Sequence, residues 1–117
     1  MNANRGDIAR LLHIQDALWS IQSYLGDSTQ DEFLASPMMR DAVVRQCEIV
    51  GEASRYISDD LKQRFPDVEW QELTDFRNIL IHQYFGVNFK IVWQATQTTF
   101  PTLLQNIQHI LHDLTGE

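Results

Sequence analysis

Within one short segment, Arg77-Asn78-Ile79-Leu80-Ile81-His82-Gln83-Tyr84, the chain gathers the three side chains best suited to handling a phosphate ester. An arginine is a permanent cation whose planar donor fork matches a phosphate. A histidine gives or takes a proton near neutral pH. A tyrosine hydroxyl donates, accepts or is modified. Arg77 can neutralise charge building on a phosphoryl group in a transition state. His82 falls in the last turn of its helix, where the carbonyl end favours the imidazolium. That form can protonate a leaving oxygen, and the neutral form can take a proton from a hydroxyl. Asn78 can hydrogen-bond the histidine or the phosphate. These parts suffice for metal-free RNA cleavage, in which a ribose 2′-OH attacks the adjacent phosphate and leaves a cyclic phosphate and a free 5′-OH. Asp75, one turn before Asn78, can orient this group.

If the whole segment is helical, Arg77 and Tyr84 lie roughly 20° apart around the axis and two turns apart along it, while Arg77 and His82 are about 140° apart. One helix alone is a poor frame for the Arg–His pair. A two-fold dimer that brings two copies of the segment together solves the mismatch. On spacing alone, an Arg and a His five apart are the ordinary surface cation and half-buried polar group of an amphipathic helix. The other histidines, His13, His109 and His112, have no partners in sequence. His109 and His112 could nominally ligate a metal, but no third ligand with metal spacing follows and they read as solvated. There is no glycine-rich phosphate loop and no Ser or Cys in a nucleophile motif. Cys47 lies between apolar helix positions and reads as inert core.

The elements that must position this segment all read as helix. From about Asp7 to Leu25, the residues Leu11, Ile14, Leu18, Ile21 and Leu25 place one apolar stripe on one face, and Gly26 ends it. Thr29-Gln30-Asp31-Glu32 is a capping box opening a short helix. Ser36-Pro37 supplies an N-cap and a first-turn proline for a third helix carrying Met39, Val43, Val50, Ala53 and Ile57 on one side. Ser58 caps a short turn through Lys62, stopped by Phe65-Pro66. The motif helix is expected from about Glu69 to Phe85, with Leu73, Phe76, Leu80 and Tyr84 inward and Gly86 just past its end. Asn88 caps the last helix, which turns Phe89, Val92, Trp93, Phe100, Leu103, Ile107, Ile110 and Leu114 inward, with Pro101 kinking or breaking it. No segment alternates with period two. The reading is an all-α bundle of four main helices plus one or two short ones, one domain over residues 1–117. Ala42, Ile49 and Tyr56 on the third helix, with Ile79 and Ile81 on the fourth, are left over as apolar surface, so self-association is expected.

A hydrophobic fraction of 44% fits a globular chain, and no run approaches the roughly 20 apolar residues of a membrane span. The opening Met1-Asn2-Ala3-Asn4-Arg5-Gly6-Asp7 has no apolar signal core, and one cysteine forms no internal disulfide, so a cytoplasmic location is expected. The net charge of −7 opposes loose binding to nucleic acid, so an RNA would have to meet a local basic cleft. Seven of the nine basic residues are arginine, which favours directed contacts. The acidic surface suits a basic protein partner or serves solubility.

With these residues in view, the chain resembles the HEPN superfamily and, within it, the HepT-like toxins of prokaryotic toxin–antitoxin pairs. The superfamily mark is Arg, four to six residues, then His; the narrower family has Arg-x4-His-x-Tyr, which Arg77 to Tyr84 fit. A second block, Asp41-Ala42-Val43-Val44-Arg45-Gln46-Cys47-Glu48-Ile49-Val50-Gly51-Glu52-Ala53, also looks like the family's, and Pro66, Trp70, Trp93 and Pro101 fall where similar sequences place them. The resemblance covers roughly residues 8 to 112. It implies a HEPN-like helical bundle that forms a dimer or a higher even oligomer with the motif helices facing a cleft. It implies a metal-independent, cofactor-free endoribonuclease with Arg77 and His82 as the catalytic pair and Asn78 in support, acting on RNA, with tRNA among the candidate substrates. It implies a partner, a minimal nucleotidyltransferase (MntA-like) antitoxin, that silences the toxin by adding AMP to Tyr84. Gly51 and Glu52 are expected to serve close helix packing and a polar cleft contact, with Glu52 a candidate catalytic helper. The competing reading is a non-catalytic helical dimer that binds or regulates a partner nucleotidyltransferase.

Overall fold

The apolar residues at three-four spacing, Leu11, Ile14, Leu18, Ile21 and Leu25, are all buried, and they line one side of a helix, α1, from Arg5–Leu25. A computed structural model describes residues 5–116; Met1 to Asn4 of the opening segment lie outside the described residues. Gly26 adopts φ 51° and its N–H returns to the Gln22 carbonyl at 2.9 Å, the left-handed stop that a glycine makes without a Cβ penalty.

The expected caps form. Thr29 and Glu32 exchange hydrogen bonds, with the Thr29 N–H donating to Glu32 Oε1 at 2.9 Å and the Glu32 N–H to Thr29 Oγ1 at 3.2 Å, and open α2, Gln30–Ala35. Ser36 Oγ accepts from the Met39 N–H at 3.1 Å, and Pro37 occupies the first turn of α3, Pro37–Arg55. Ser58 Oγ accepts from the Leu61 N–H at 3.2 Å and opens α4, Asp59–Arg64. A contact invisible to local pattern fixes this corner. Buried Asp7 on α1 accepts from both the N–H (2.8 Å) and the hydroxyl (2.6 Å) of Ser58, 51 residues away.

The motif helix, α5, is shorter than expected: Trp70–His82, not Glu69 to Phe85. Gln83 leaves helical conformation at φ −124° and ψ 35°, and Tyr84–Gly86 form a separate 3-10 turn. Gly86 has no positive φ, so the helix stops at Gln83 without a left-handed glycine cap. Asn88 caps α6, Phe89–Gln94, through a bond from the Lys90 N–H to its Oδ1 at 3.0 Å. The break expected at Pro101 takes a particular form. Ala95–Thr99 make a π turn, in which the Phe100 N–H reaches back to the Ala95 carbonyl, and α7, Phe100–Thr115, starts with Pro101 in its first turn. A proline has no N–H to give the preceding turn, and a wider turn there accommodates it.

α3 packs against both α1 and α5, and α1 also packs on α7. Val43, Val50, Cys47, Leu80, Val92 and Ile107 meet in the shared core, and α2 closes it against α6 through Phe33 and Trp93, whose ring centroids are 5.6 Å apart. Met39 and Leu114 are half-buried at its margin. No helix is long and apolar enough to cross a membrane among the described residues. Ile79 and Ile81 on α5 and Tyr56 just past α3 are exposed.

Candidate active site

α5 is held to α3 at one point of unusually close approach. A Cβ placed on Gly51 would lie 2.2 Å from the Cβ of Arg77 and 2.7 Å from the Leu73 carbonyl oxygen. Only a residue without a side chain fits between the two backbones. The Thr74 hydroxyl sits beside the same crossing, 3.5 Å from the Gly51 carbonyl. Arg77 therefore leaves α5 pressed against α3.

Its guanidinium is gripped from both sides. Nη1 donates to Asn78 Oδ1 at 2.8 Å, and Nη2 lies 2.8 Å from Glu52 Oε2. Nε is buried and has no hydrogen-bond partner. The arginine side chain is 21% exposed and that of Glu52 is 41% exposed, so the fork is fixed in direction yet open to a ligand. Glu52 thus makes the polar contact anticipated for it. Asp75 does not orient Asn78; it accepts from Gln71 Nε2 at 2.9 Å on the outer side of the helix.

His82 closes α5 and is exposed; its side chain makes no hydrogen bond or ion pair among the described residues. Within one protomer, Arg77, Asn78 and Glu52 are brought together and His82 is not joined to them. About five residues of α-helix separate the directions of Arg77 and His82 by roughly 140°.

Tyr84 corrects an expectation. Because the helix ends before it, Tyr84 does not share a helix face with Arg77 or line the inward stripe. It is 39% exposed, and its hydroxyl donates to Oδ1 of Asp41 on α3. The Asp41 hydrogen bond, with lesser contributions from partial burial and the Asp41 charge, holds the phenol above its ordinary pKa. Asp41 opens the second sequence block, but it carried no assigned role there because nothing local pairs it with a residue 43 positions on. Its neighbour Arg40 stacks over the Phe89 ring, 4.7 Å from its centroid, with Nε buried and without a hydrogen-bond partner. Arg40 is thus the cation whose charge acts on the Tyr84 phenol.

A cleft of about 670 Å³ opens elsewhere along α5, between it and the α6–α7 region, over Leu73, Phe76, Ile91 and Leu103. None of Arg77, Asn78, His82 or Tyr84 lines it, and its rim carries Asp67, Glu69 and Glu72. The hydrogen bond and charge of Glu69 push the Glu72 carboxyl above its ordinary range. That sign of charge repels a polyanion, so this cleft is not where a phosphate backbone would bind. His109 pairs with Asp113 at 3.5 Å on the exposed side of α7. Cys47 is buried, and desolvation pushes its thiol far up, which keeps it unreactive.

Comparison with known proteins agrees with this architecture of motif and scaffold. Residues 14–110 match the model of a family described as Ribonuclease HepT-like. "Putative RNase MJ1380" of Methanocaldococcus jannaschii is 37% identical over 100 residues, spanning 86% of this chain and 92% of that protein. "Putative RNase MJ0127" of the same organism is 34% identical over 109 residues, spanning 93% and 90%. "Probable ribonuclease HepT" of Thermococcus cleftensis is 34% identical over 90 residues, spanning 77% and 82%. No solved structure matches. The all-helical bundle, the Arg-x4-His-x-Tyr segment at the end of α5 and the turn after it, and the match over most of the chain place the protein in the HepT-like family of the HEPN superfamily.

Proposed function

We propose that the chain is the toxin of a toxin–antitoxin pair of the type VII kind, a metal-independent endoribonuclease. The observation that carries this reading is Arg77: a cation fixed by Glu52 and Asn78, pressed against Gly51 and still 21% exposed. Such a fork is organised in advance for a phosphate oxygen and costs little to reorganise when charge builds there. His82 supplies the proton traffic: one form takes the 2′-OH proton and the other protonates the 5′ leaving oxygen. Asn78 supports Arg77. The names of the relatives point to the same substrate class, RNA; tRNA is the narrower candidate.

His82 and Arg77 diverge around α5, and Ile79 and Ile81 on the same helix are exposed, as is Phe85 just past its end. We therefore assign the working form to a dimer, or a higher even oligomer, in which α5 meets its copy and an arginine and a histidine face one phosphate from two directions. A nucleotidyltransferase antitoxin silences the site by adding AMP to Tyr84. A bulky anion on Tyr84, beside Arg40, adds negative charge and bulk just past the motif helix, where it opposes the approach of RNA phosphate.

Purified protein should cleave RNA in the presence of EDTA, and Arg77→Ala and His82→Ala should each abolish cleavage. Undiminished cleavage by both variants would sink the assignment. Intact RNA with fresh, unmodified protein would favour a non-catalytic dimer that docks or regulates the nucleotidyltransferase.

A further inference from the structure

Tyr84 is the acceptor in the reading above, and a phenol is a poor acceptor by itself. At neutral pH it holds its proton, and its hydroxyl rotates freely unless something fixes it. Here something does. The hydroxyl donates to Asp41 Oδ1, a carboxylate on a different helix, while the ring stands edge-on to Phe85 with centroids 5.9 Å apart. With the hydrogen committed to Asp41, the lone pairs of the Tyr84 oxygen are not spent on that bond, and the residue is 39% exposed. Arg40 and Glu48 are the other charges acting on this phenol: Arg40 opposes the upward shift and Glu48 adds to it. A nucleophile, a base within hydrogen-bond reach and an adjacent cation are the parts an activated hydroxyl needs.

We infer that Asp41 orients the Tyr84 hydroxyl and accepts its proton when AMP is transferred to it, so that the toxin itself supplies the base for its own silencing. The inference rests on Tyr84 being the AMP acceptor. In the step, Tyr84 Oη attacks the α-phosphorus of ATP held by the partner enzyme. The bond from that phosphorus to the bridging oxygen of pyrophosphate breaks, and pyrophosphate leaves with the electron pair. The phenolic proton passes to Asp41. The cleavage of RNA does not use Asp41, which lies on α3 and touches neither Arg77 nor His82 among its described contacts.

The test follows AMP incorporation by intact mass, with the toxin chain, a minimal nucleotidyltransferase antitoxin and ATP, as initial rates against toxin concentration. Asp41→Asn keeps the shape but cannot take a proton; it should lower kcat by about 10²-fold, the lower end of what a positioned base contributes. KM for the toxin chain should stay within about twofold, because the docking surface is unchanged. Asp41→Glu should recover part of the rate, and both variants should cleave RNA like the parent before modification. Three results would overturn the inference: a wild-type kcat in Asp41→Asn, a faster rate, which would make Asp41 a shield, or a loss carried entirely by KM. A different pattern reports on the underlying reading. If the parent chain takes no AMP on Tyr84, or Tyr84→Phe still acquires it, the acceptor assignment fails and the role of Asp41 with it.

Discussion

The Cβ of Arg77 occupies the space that a side chain on Gly51 would need, at a separation of 2.2 Å. The position of the cation is therefore set by the absence of a methyl group on the neighbouring helix. Gly51→Ala would ordinarily stabilise a helix interior by about 1 kcal/mol. Here the added carbon also meets the Leu73 carbonyl at 2.7 Å, so α3 and α5 must part. The overlap should outweigh the propensity gain, with a net loss of about 1–3 kcal/mol in denaturant unfolding. Cleavage should fall further than the unfolded fraction explains.

Glu52→Gln tests the ion pair. Both partners are partly in solvent, so stability should change by less than about 1 kcal/mol. Arg77 would lose the charge that aims it and keep only Asn78. RNA cleavage should drop by about tenfold, read as kcat under single-turnover conditions. A full-activity Glu52→Gln enzyme would remove Glu52 from the site.

Arg77→Lys keeps the charge and loses the fork. A single ammonium cannot reach Glu52 and Asn78 in the present geometry and still present donors to a phosphate. Cleavage should fall by about 10²-fold or more with the fold intact by circular dichroism.

The phenol of Tyr84 titrates above its ordinary value, chiefly because of its hydrogen bond to Asp41. A folded-state pKa above the unfolded one means the folded form holds the proton more tightly. Its contribution to stability is complete below the unfolded value of about 10 and is lost as pH rises through the folded value. In ultraviolet titration, Tyr84→Phe should remove a step above pH of about 10, and Asp41→Asn should move that step down.

Asp7 is 4% exposed and accepts two hydrogen bonds from Ser58. Asp7→Ala strands the Ser58 N–H at the start of α4 and should cost about 1–3 kcal/mol, measured as a lower denaturation midpoint. RNA cleavage by the folded fraction should be unchanged, since the hydrogen bonds of Asp7 go to Ser58 and not to Arg77, Asn78 or Glu52.

The capping signals at Thr29, Ser36, Ser58 and Asn88 were legible because each joins residues within three positions of one another. The same locality made the Gly26 stop readable. The end of α5 was not, because the apolar pattern continues through Tyr84 while the backbone turns at Gln83 and the Tyr84 hydroxyl meets a residue on another helix. The Asp7–Ser58 and Asp41–Tyr84 bonds span 51 and 43 residues, and no local spacing encodes them. Gly51 and Glu52 were legible as a close contact and a polar one, and the structure supplies their partner, Arg77. The divergence of Arg77 and His82 around one helix was equally plain from sequence, and it holds in the protomer.

The π turn at Ala95–Thr99 amounts to one residue more than an α-helix needs over that stretch. A single-residue deletion there would let α6 and α7 join as one uninterrupted rod. Because the bulge already absorbs that residue, the helices on either side would keep their phase. Leu103, Ile107 and Ile110 would keep facing the core that they fill beside α1, whereas a deletion within α7 would turn whatever follows it by about 100°. Insertions and deletions are usually absorbed by loops, but in this chain the surface loops are short and the extra residue is stored inside a helix. The C-terminal third of the domain thus has one place, the turn before α7, where its length can change by a residue without altering which side chains face inward.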